Sequence, residues 1–171
     1  MIKREKGFTL IEILIVVAII AILASIVIVG LGPAQQSGRD ARRISDLQSM
    51  RNALQLYDNK CGIYPGDSSC TAGSPGTTWS TFETTLVSSG LGFTSANLPV
   101  DPSSGRSYEY AYSKDYSSYI LAAALENAGN TALQKNSYSA PDTTGYTWTA
   151  SGATTEPNTD CTSGVTYCVS L

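Results

Sequence analysis

From Phe8 to Gly30 the chain runs for 23 residues with a single charge, Glu12, and between Ile13 and Val29 only Ser25 breaks the apolar series. As a helix rising 1.5 Å per residue, this stretch is about 35 Å long, enough to cross the hydrocarbon core of a bilayer. Lys3, Arg4 and Lys6 precede it against one acid, Glu5. Basic flanks stay in the cytoplasm, which places everything beyond Gly30 on the far side. A cleaved secretory signal has a shorter apolar region and a small-x-small cut site behind it. Neither feature is present here, so the expectation is one membrane-spanning helix that stays with the protein.

Glu12 conflicts with a plain membrane anchor. A carboxylate in a hydrophobic span costs on the order of 2–3 kcal/mol unless it reaches an interface, is protonated or is paired. Glu12 is near enough to the start of the span to snorkel towards the headgroups. The alternative is that it needs a cation created later. Cutting between Gly7 and Phe8 would free an α-amino group beside the apolar face, and the Glu12 of another subunit could neutralise it in a packed helix bundle.

Lys6-Gly7-Phe8-Thr9-Leu10-Ile11-Glu12, leading straight into the apolar run, resembles the type IV pilin and pseudopilin superfamily. The pattern is a short basic leader, glycine, phenylalanine, and glutamate as the fifth residue of the processed chain. The resemblance implies that a membrane-embedded prepilin peptidase cuts after Gly7 and N-methylates Phe8, and that Glu12 is the assembly carboxylate. Glycine suits the cut because the missing Cβ lets an extended backbone approach the peptidase closely. The likeness in sequence is confined to the leader and the span; further on it is architectural.

Past the span, Gly30, Gly32 and Pro33 predict a kink or loosened turn near residues 30–33. Helical periodicity then resumes. Ala41, Ile44, Leu47, Met50, Leu54 and Tyr57 recur at three- and four-residue spacing and form an amphipathic stripe. Arg42 and Asp46 make an i,i+4 pair on its solvent side, with Arg39, Arg43 and Arg51 beside them. From Cys61 onward the chain holds three basic and nine acidic residues. A basic stalk under an acidic head is therefore a second expected contact between subunits.

The expected organisation is a leader over 1–7, a spanning or filament-core helix over 8–30, an amphipathic half of the same helix over 31–57, and a globular head over 58–171. The head opens with a region rich in Gly, Pro and Ser from Cys61 to about Val100, inside which Thr81 to Leu91 reads as a short helix with Phe82 and Leu86 facing in. Tyr108-Glu109-Tyr110-Ala111-Tyr112 alternates as a strand with three tyrosines on one face. Lys114-Asp115 is the turn, and Tyr119 to Leu125 the returning strand. Tyr146 to Thr149 and Val165 to Val169 complete a small antiparallel sheet. The predicted fold class is α+β, a long N-terminal helix packed on that sheet.

Four cysteines, Cys61, Cys70, Cys161 and Cys168, lie in the part expected to be exported, where an even count favours disulfides. Three connectivities exist; the favoured one pairs Cys61 with Cys70 and Cys161 with Cys168, each closing a short loop. A zinc site lacks paired CxxC knuckles. The chain contains no histidine, which removes Ser-His-Asp and Cys-His nucleophilic chemistry, and no Walker, GxGxxG or partnered GxSxG motif occurs. A catalyst is not expected. The net charge of −3 argues against nucleic-acid binding.

The segment Val100-Asp101-Pro102-Ser103-Ser104-Gly105-Arg106-Ser107-Tyr108 is similar to the Asp-Pro-Trp-Gly-x-Pro-Tyr segment of the major pseudopilins of type II secretion, and Tyr64-Pro65 to their Tyr-Pro. That branch holds calcium in a nearby loop, which makes Asp101 and Asp115 candidate ligands. Ser103 and Ser104 stand where tryptophan and glycine belong, and there is no DxDxDG loop, so Asp101-Pro102 reads as an ordinary turn and no cofactor is expected.

The resemblance then implies a membrane-inserted precursor whose helix, after leader removal, enters a homo-oligomeric helical filament outside the cytoplasmic membrane. Its partners would be minor pilins, the prepilin peptidase, the inner-membrane assembly platform and, indirectly, a cytoplasmic motor. The two short disulfides and the elaborated region after Gly129 favour a type IV pilus subunit, in an extracellular filament. The alternative is a periplasmic pseudopilin of type II secretion, and a remoter one is a membrane-tethered binding module that never polymerises.

Overall fold

The computed structural model describes residues 7–66, 78–95, 98–133, 144–149, 161 and 164–171; the side chains of residues 26–30 inside the first helix are also outside the described set. In chain order the elements are α1 (Leu10–Cys61), α2 (Trp79–Ser88), β1 (Glu109–Ser113), β2 (Tyr119–Ala124), β3 (Tyr146–Trp148) and β4 (Thr166–Ser170). The chain divides into two compact units, residues 1–36 and 37–171.

Within the first unit, α1 is uniform in its chemistry. Phe8, Leu10, Ile11, Ile13, Leu14 and the large aliphatic residues from Ile15 to Leu23 are all more than half exposed. Helix persists through Gly30, Gly32 and Pro33, so no turn is melted where the sequence predicts loosening. A proline inside a helix removes one N–H donor and leaves the rest of the ladder available. Among the described residues no helix is long and apolar enough to cross a membrane. The apolar stretch with described side chains, Leu10 to Ser25, is about 24 Å long at 1.5 Å per residue.

The second unit contains the sheet, with strand order β3-β1-β2-β4 and every neighbour antiparallel. Alternation from Tyr108 through β1 sends Tyr108, Tyr110 and Tyr112 to one face, where they meet Leu47, Met50, Leu54 and Tyr57 of α1 and Phe82 and Leu86 of α2 in one core. Tyr110 stacks on Phe82 with ring centroids 4.2 Å apart, and Trp79 meets Tyr108 edge-on at 5.6 Å. β2, read as Tyr-Ile-Leu-Ala-Ala-Ala, is buried along its whole length between β1 and β4.

The opposite face of the sheet is also covered. Ala111, Ile120 and Ala122 pack with Cys161 and Cys168, and half-buried Tyr146 and Trp148 close the cluster. Two local stops shape the unit. α1 ends at Cys61 because Gly62 takes φ +72°, a left-handed turn open to glycine, and its N–H donates to the Asp58 carbonyl. α2 begins at Trp79 behind its N-cap Thr78, whose hydroxyl accepts the Thr81 N–H while the Thr81 hydroxyl oxygen accepts the Thr78 N–H.

Candidate functional site

α1 starts at Leu10, so Thr9 is its N-cap and Glu12 its third residue. The two form a reciprocal capping box. The Thr9 N–H donates to Glu12 Oε2 at 2.8 Å, the Thr9 hydroxyl donates to the same oxygen at 2.7 Å, and the Glu12 N–H donates to Thr9 Oγ1 at 3.3 Å. Both bonds to the carboxylate fall on one oxygen; Oε1 accepts no bond among the described residues. Glu12 is thus anchored at the head of the helix with one oxygen left facing outward.

The surroundings are apolar. Leu10, Ile13, Leu14, Val17, Ala18 and Ala21 line a continuous strip along the helix directly after the box. Ser25 donates its hydroxyl to the Ile22 carbonyl at 2.7 Å and so presents no free polar donor. Gly7 and Phe8 precede the box, with Phe8 83% exposed, and a side chain added at Gly7 would meet nothing within 4 Å. The residues singled out from sequence, Gly7, Phe8 and Glu12, are therefore contiguous at an exposed helix start. Thr9 is the member that a reading centred on charge missed, although Thr9-x-x-Glu12 is a recognisable capping signature.

The other candidates lie in the second unit and are engaged within the chain. Cys161 and Cys168 form a disulfide across the second face of the sheet, their Cα atoms 5.8 Å apart. Cys61 is disulfide-bonded too, and Cys70 lies outside the described residues. Asp115 sits at the β1–β2 turn, where it accepts from the hydroxyls of Ser113 and Ser117 at 2.7 and 2.9 Å. Asp101 is at the other end of that hairpin, with both oxygens on a guanidinium. The two calcium candidates do not converge. Among the described residues no group of three or more acidic, histidine or cysteine side chains is arranged to hold a metal ion.

The guanidinium belongs to Arg43, and it corrects the reading of this helix face as solvated. Arg43 is fully buried. Its Nε and Nη2 donate to the two Asp101 oxygens at 2.8 and 2.9 Å, Nη1 to Asp40 at 2.8 Å, and Nη2 also to Glu126 and Ser103, each at 2.9 Å. Asp40 accepts the backbone N–H groups of Glu126 and Asn127 as well. Arg39 takes Glu126 from outside with a two-pronged contact. Two of the arginines expected to reach other subunits are thus consumed at home, whereas Arg42 remains exposed beside Asp46.

Electrostatics follow from this packing. Burial alone would weaken the Arg43 charge, but the hydrogen bonds it donates to Asp101 and Glu126 outweigh it and hold the group above the ordinary arginine range. The Arg39 hydrogen bond, helped by Arg43 and Ser103, holds Glu126 well below the usual carboxylate range despite its partial burial. Burial, reinforced by the hydrogen bond that Tyr108 donates to Asp46 at 2.6 Å, raises the Tyr108 phenol.

Residues 2–28 match the profile of the prokaryotic N-terminal methylation motif. The chain is 35% identical over 63 residues to the type II secretion system core protein G of Aeromonas hydrophila, an alignment covering 37% of this chain and 44% of that protein. The proteins of the same name from Escherichia coli K12 (36% over 62 residues, 36% of this chain and 43% of the relative) and Vibrio cholerae (33% over 63 residues, 37% and 43%) are similar to it in the same measure. The chain thus spans less than half the length of these curated relatives. No solved structure matches it.

Proposed function

From a chain that carries the N-terminal segment of the type IV pilin and pseudopilin superfamily, we propose a structural subunit of a helical fibre, specifically a pseudopilin of a type II secretion system. The pilus assignment favoured by the disulfides and the region after Gly129 gives way here, because each relative cited above carries the name of a secretion core protein. The observation that carries the fibre reading is the Thr9–Glu12 box at the head of an exposed apolar stretch of helix.

The sequence of events follows from the chemistry of that segment. The 23-residue apolar run inserts the precursor in the inner membrane with its basic leader in the cytoplasm. A prepilin peptidase cuts between Gly7 and Phe8 and methylates the new amine. The amine is a cation beside an apolar face. Glu12 of a neighbouring copy, with Oε2 held by Thr9 and Oε1 outward, is the counter-ion that lets it leave water. The strip from Leu10 to Ala21 exchanges lipid for the helices of other copies, so that burial of apolar surface is retained through extraction. A contact of one copy's amine with another's carboxylate is heterologous and does not close, which produces a fibre in the periplasm.

The test is Glu12→Ala beside Glu12→Gln in the native host. Both variants are expected to be processed at Gly7, because the cut lies outside the box, while incorporation into fibres falls at least about tenfold, the loss equivalent to one unpaired charge of about 1.4 kcal/mol. Normal fibre yield from both variants would sink the pairing.

A further inference from the structure

The second unit grips α1 in two chemically different ways. From Leu47 onward the grip is apolar, through Leu47, Met50, Leu54 and Tyr57 against the tyrosine face of the sheet. Between Arg39 and Arg43 it is ionic, through Asp40 and Arg43 against Asp101, Ser103, Glu126 and the backbone of Asn127. The two grips respond differently to motion along the helix axis. Apolar contact is non-directional, so a helix displaced by one turn exchanges one aliphatic neighbour for another. A forked guanidinium–carboxylate pair is directional and short-ranged, and it must break before the helix moves.

Such a network is a poor source of net stability, since an apolar replacement of similar volume often serves as well or better. What it supplies is choice of position. Five of its contacts tie one helical turn to two loops far away in sequence, Asp101–Ser103 ahead of β1 and Glu126–Asn127 after β2, with separations from 58 to 87 residues. Every one of them lies between 2.8 and 2.9 Å, so a shift of one residue, about 1.5 Å, exceeds what they tolerate.

We propose that the Asp40–Arg43–Asp101–Glu126 network is a register lock that fixes the axial position of α1 against the sheet. Load drawn along α1 reaches this turn before the apolar grip. The lock therefore keeps Leu47, Met50, Leu54 and Tyr57 in their own sockets while the helix is pulled. Its use under load rests on the fibre reading, whereas its existence does not.

The test uses the unassembled full-length chain in detergent micelles, which keeps it independent of fibre formation. All described cysteines are disulfide-bonded, so thiol-specific spin labels go to cysteines introduced at the exposed positions Ser45 and Lys114. Electron–electron distance measurement on the otherwise native chain is expected to give one narrow distribution. In the charge-free variant, Arg43→Met with Asp40→Asn, Asp101→Asn and Glu126→Gln, a second population displaced by about one helical turn, 5.4 Å, is expected. Arg43→Lys is the companion variant, because it keeps the charge and loses the fork. It should broaden the distribution while the chain still unfolds in one cooperative urea transition, and it decides the matter if the charge-free variant does not fold. A single narrow distribution in the folded variant would overturn the lock.

Discussion

The two units of this chain have opposite inventories. The second has completed its own: both faces of its sheet are covered, its buried guanidinium has three carboxylates, and the Cys161–Cys168 bridge pins its last strand. The first has completed almost nothing. Its described large aliphatic side chains stand exposed and its one carboxylate past the leader, Glu12, is met among the described residues only by the residue that caps the same helix. A chain that satisfies its polar and apolar demands in one region and leaves them open in another is built to have the second region satisfied by something else. On the proposed fibre reading, assembly falls to residues 8–30 and folding stability to residues 37–171.

The largest way to break the contrast is to damage the finished unit at its most committed residue. Arg43→Ala leaves Asp40, Asp101 and Glu126 facing one another without their cation. A loss of about 3–5 kcal/mol is expected in urea unfolding of the full-length chain. A loss below about 1 kcal/mol would mean that water already shares this cluster. Next comes Cys161→Ser with Cys168→Ser. The bridge closes a loop with a sequence separation of 7, and its removal should cost about 2–3 kcal/mol by the chain-entropy estimate.

Acid probes the same unit more gently. Glu126 is held below its ordinary range in the folded chain. The folded state therefore binds fewer protons there than the unfolded state, and the stabilisation is whole above the unfolded pKa of about 4.3 and drains away as pH falls towards the folded value. The urea midpoint should be flat from pH 7 to about 5 and fall below about 4.3. In Glu126→Gln that acid limb should be shallower; an equally steep limb would place the titration elsewhere. The smallest effect belongs to the open unit. Thr9→Ala removes the only side chain that holds Glu12 among the described residues, and should cost about 1 kcal/mol of local helix stability, read as faster amide exchange in the first turn of α1 with no change in the urea midpoint of the head.

The elements were legible where a short-range pattern carries them. Tyr108, Tyr110 and Tyr112 alternate, and the sheet uses that alternation; Leu47, Met50, Leu54 and Tyr57 keep helical spacing, and the core uses that stripe. Phe82 and Leu86 face inward as their spacing implies, although the helix starts two residues earlier than expected, at Trp79, because Thr78 caps it. The buried network was illegible for the converse reason. Arg39, Asp40 and Arg43 look from sequence like any charged helix face, and the partners that bury them are Asp101 and Glu126, 58 and 83 residues from Arg43. Nothing local separates a solvated arginine from one enclosed by distant carboxylates. In the first unit the spacing Thr9-x-x-Glu12 was available to be read, but the charge of Glu12 drew the reading to an outside cation and away from its own N-cap.

The measurement closest to the central claim is the intact mass and N-terminal peptide map of the protein recovered from the native cell envelope and from sheared surface material. The account predicts a chain that begins at N-methylated Phe8, confined to the envelope and recoverable there in fibres. Processed protein in long sheared surface fibres would return the assignment to a pilus. An intact leader, with Met1 or Ile2 still preceding Lys3 on a membrane-bound protein, would contradict the account altogether.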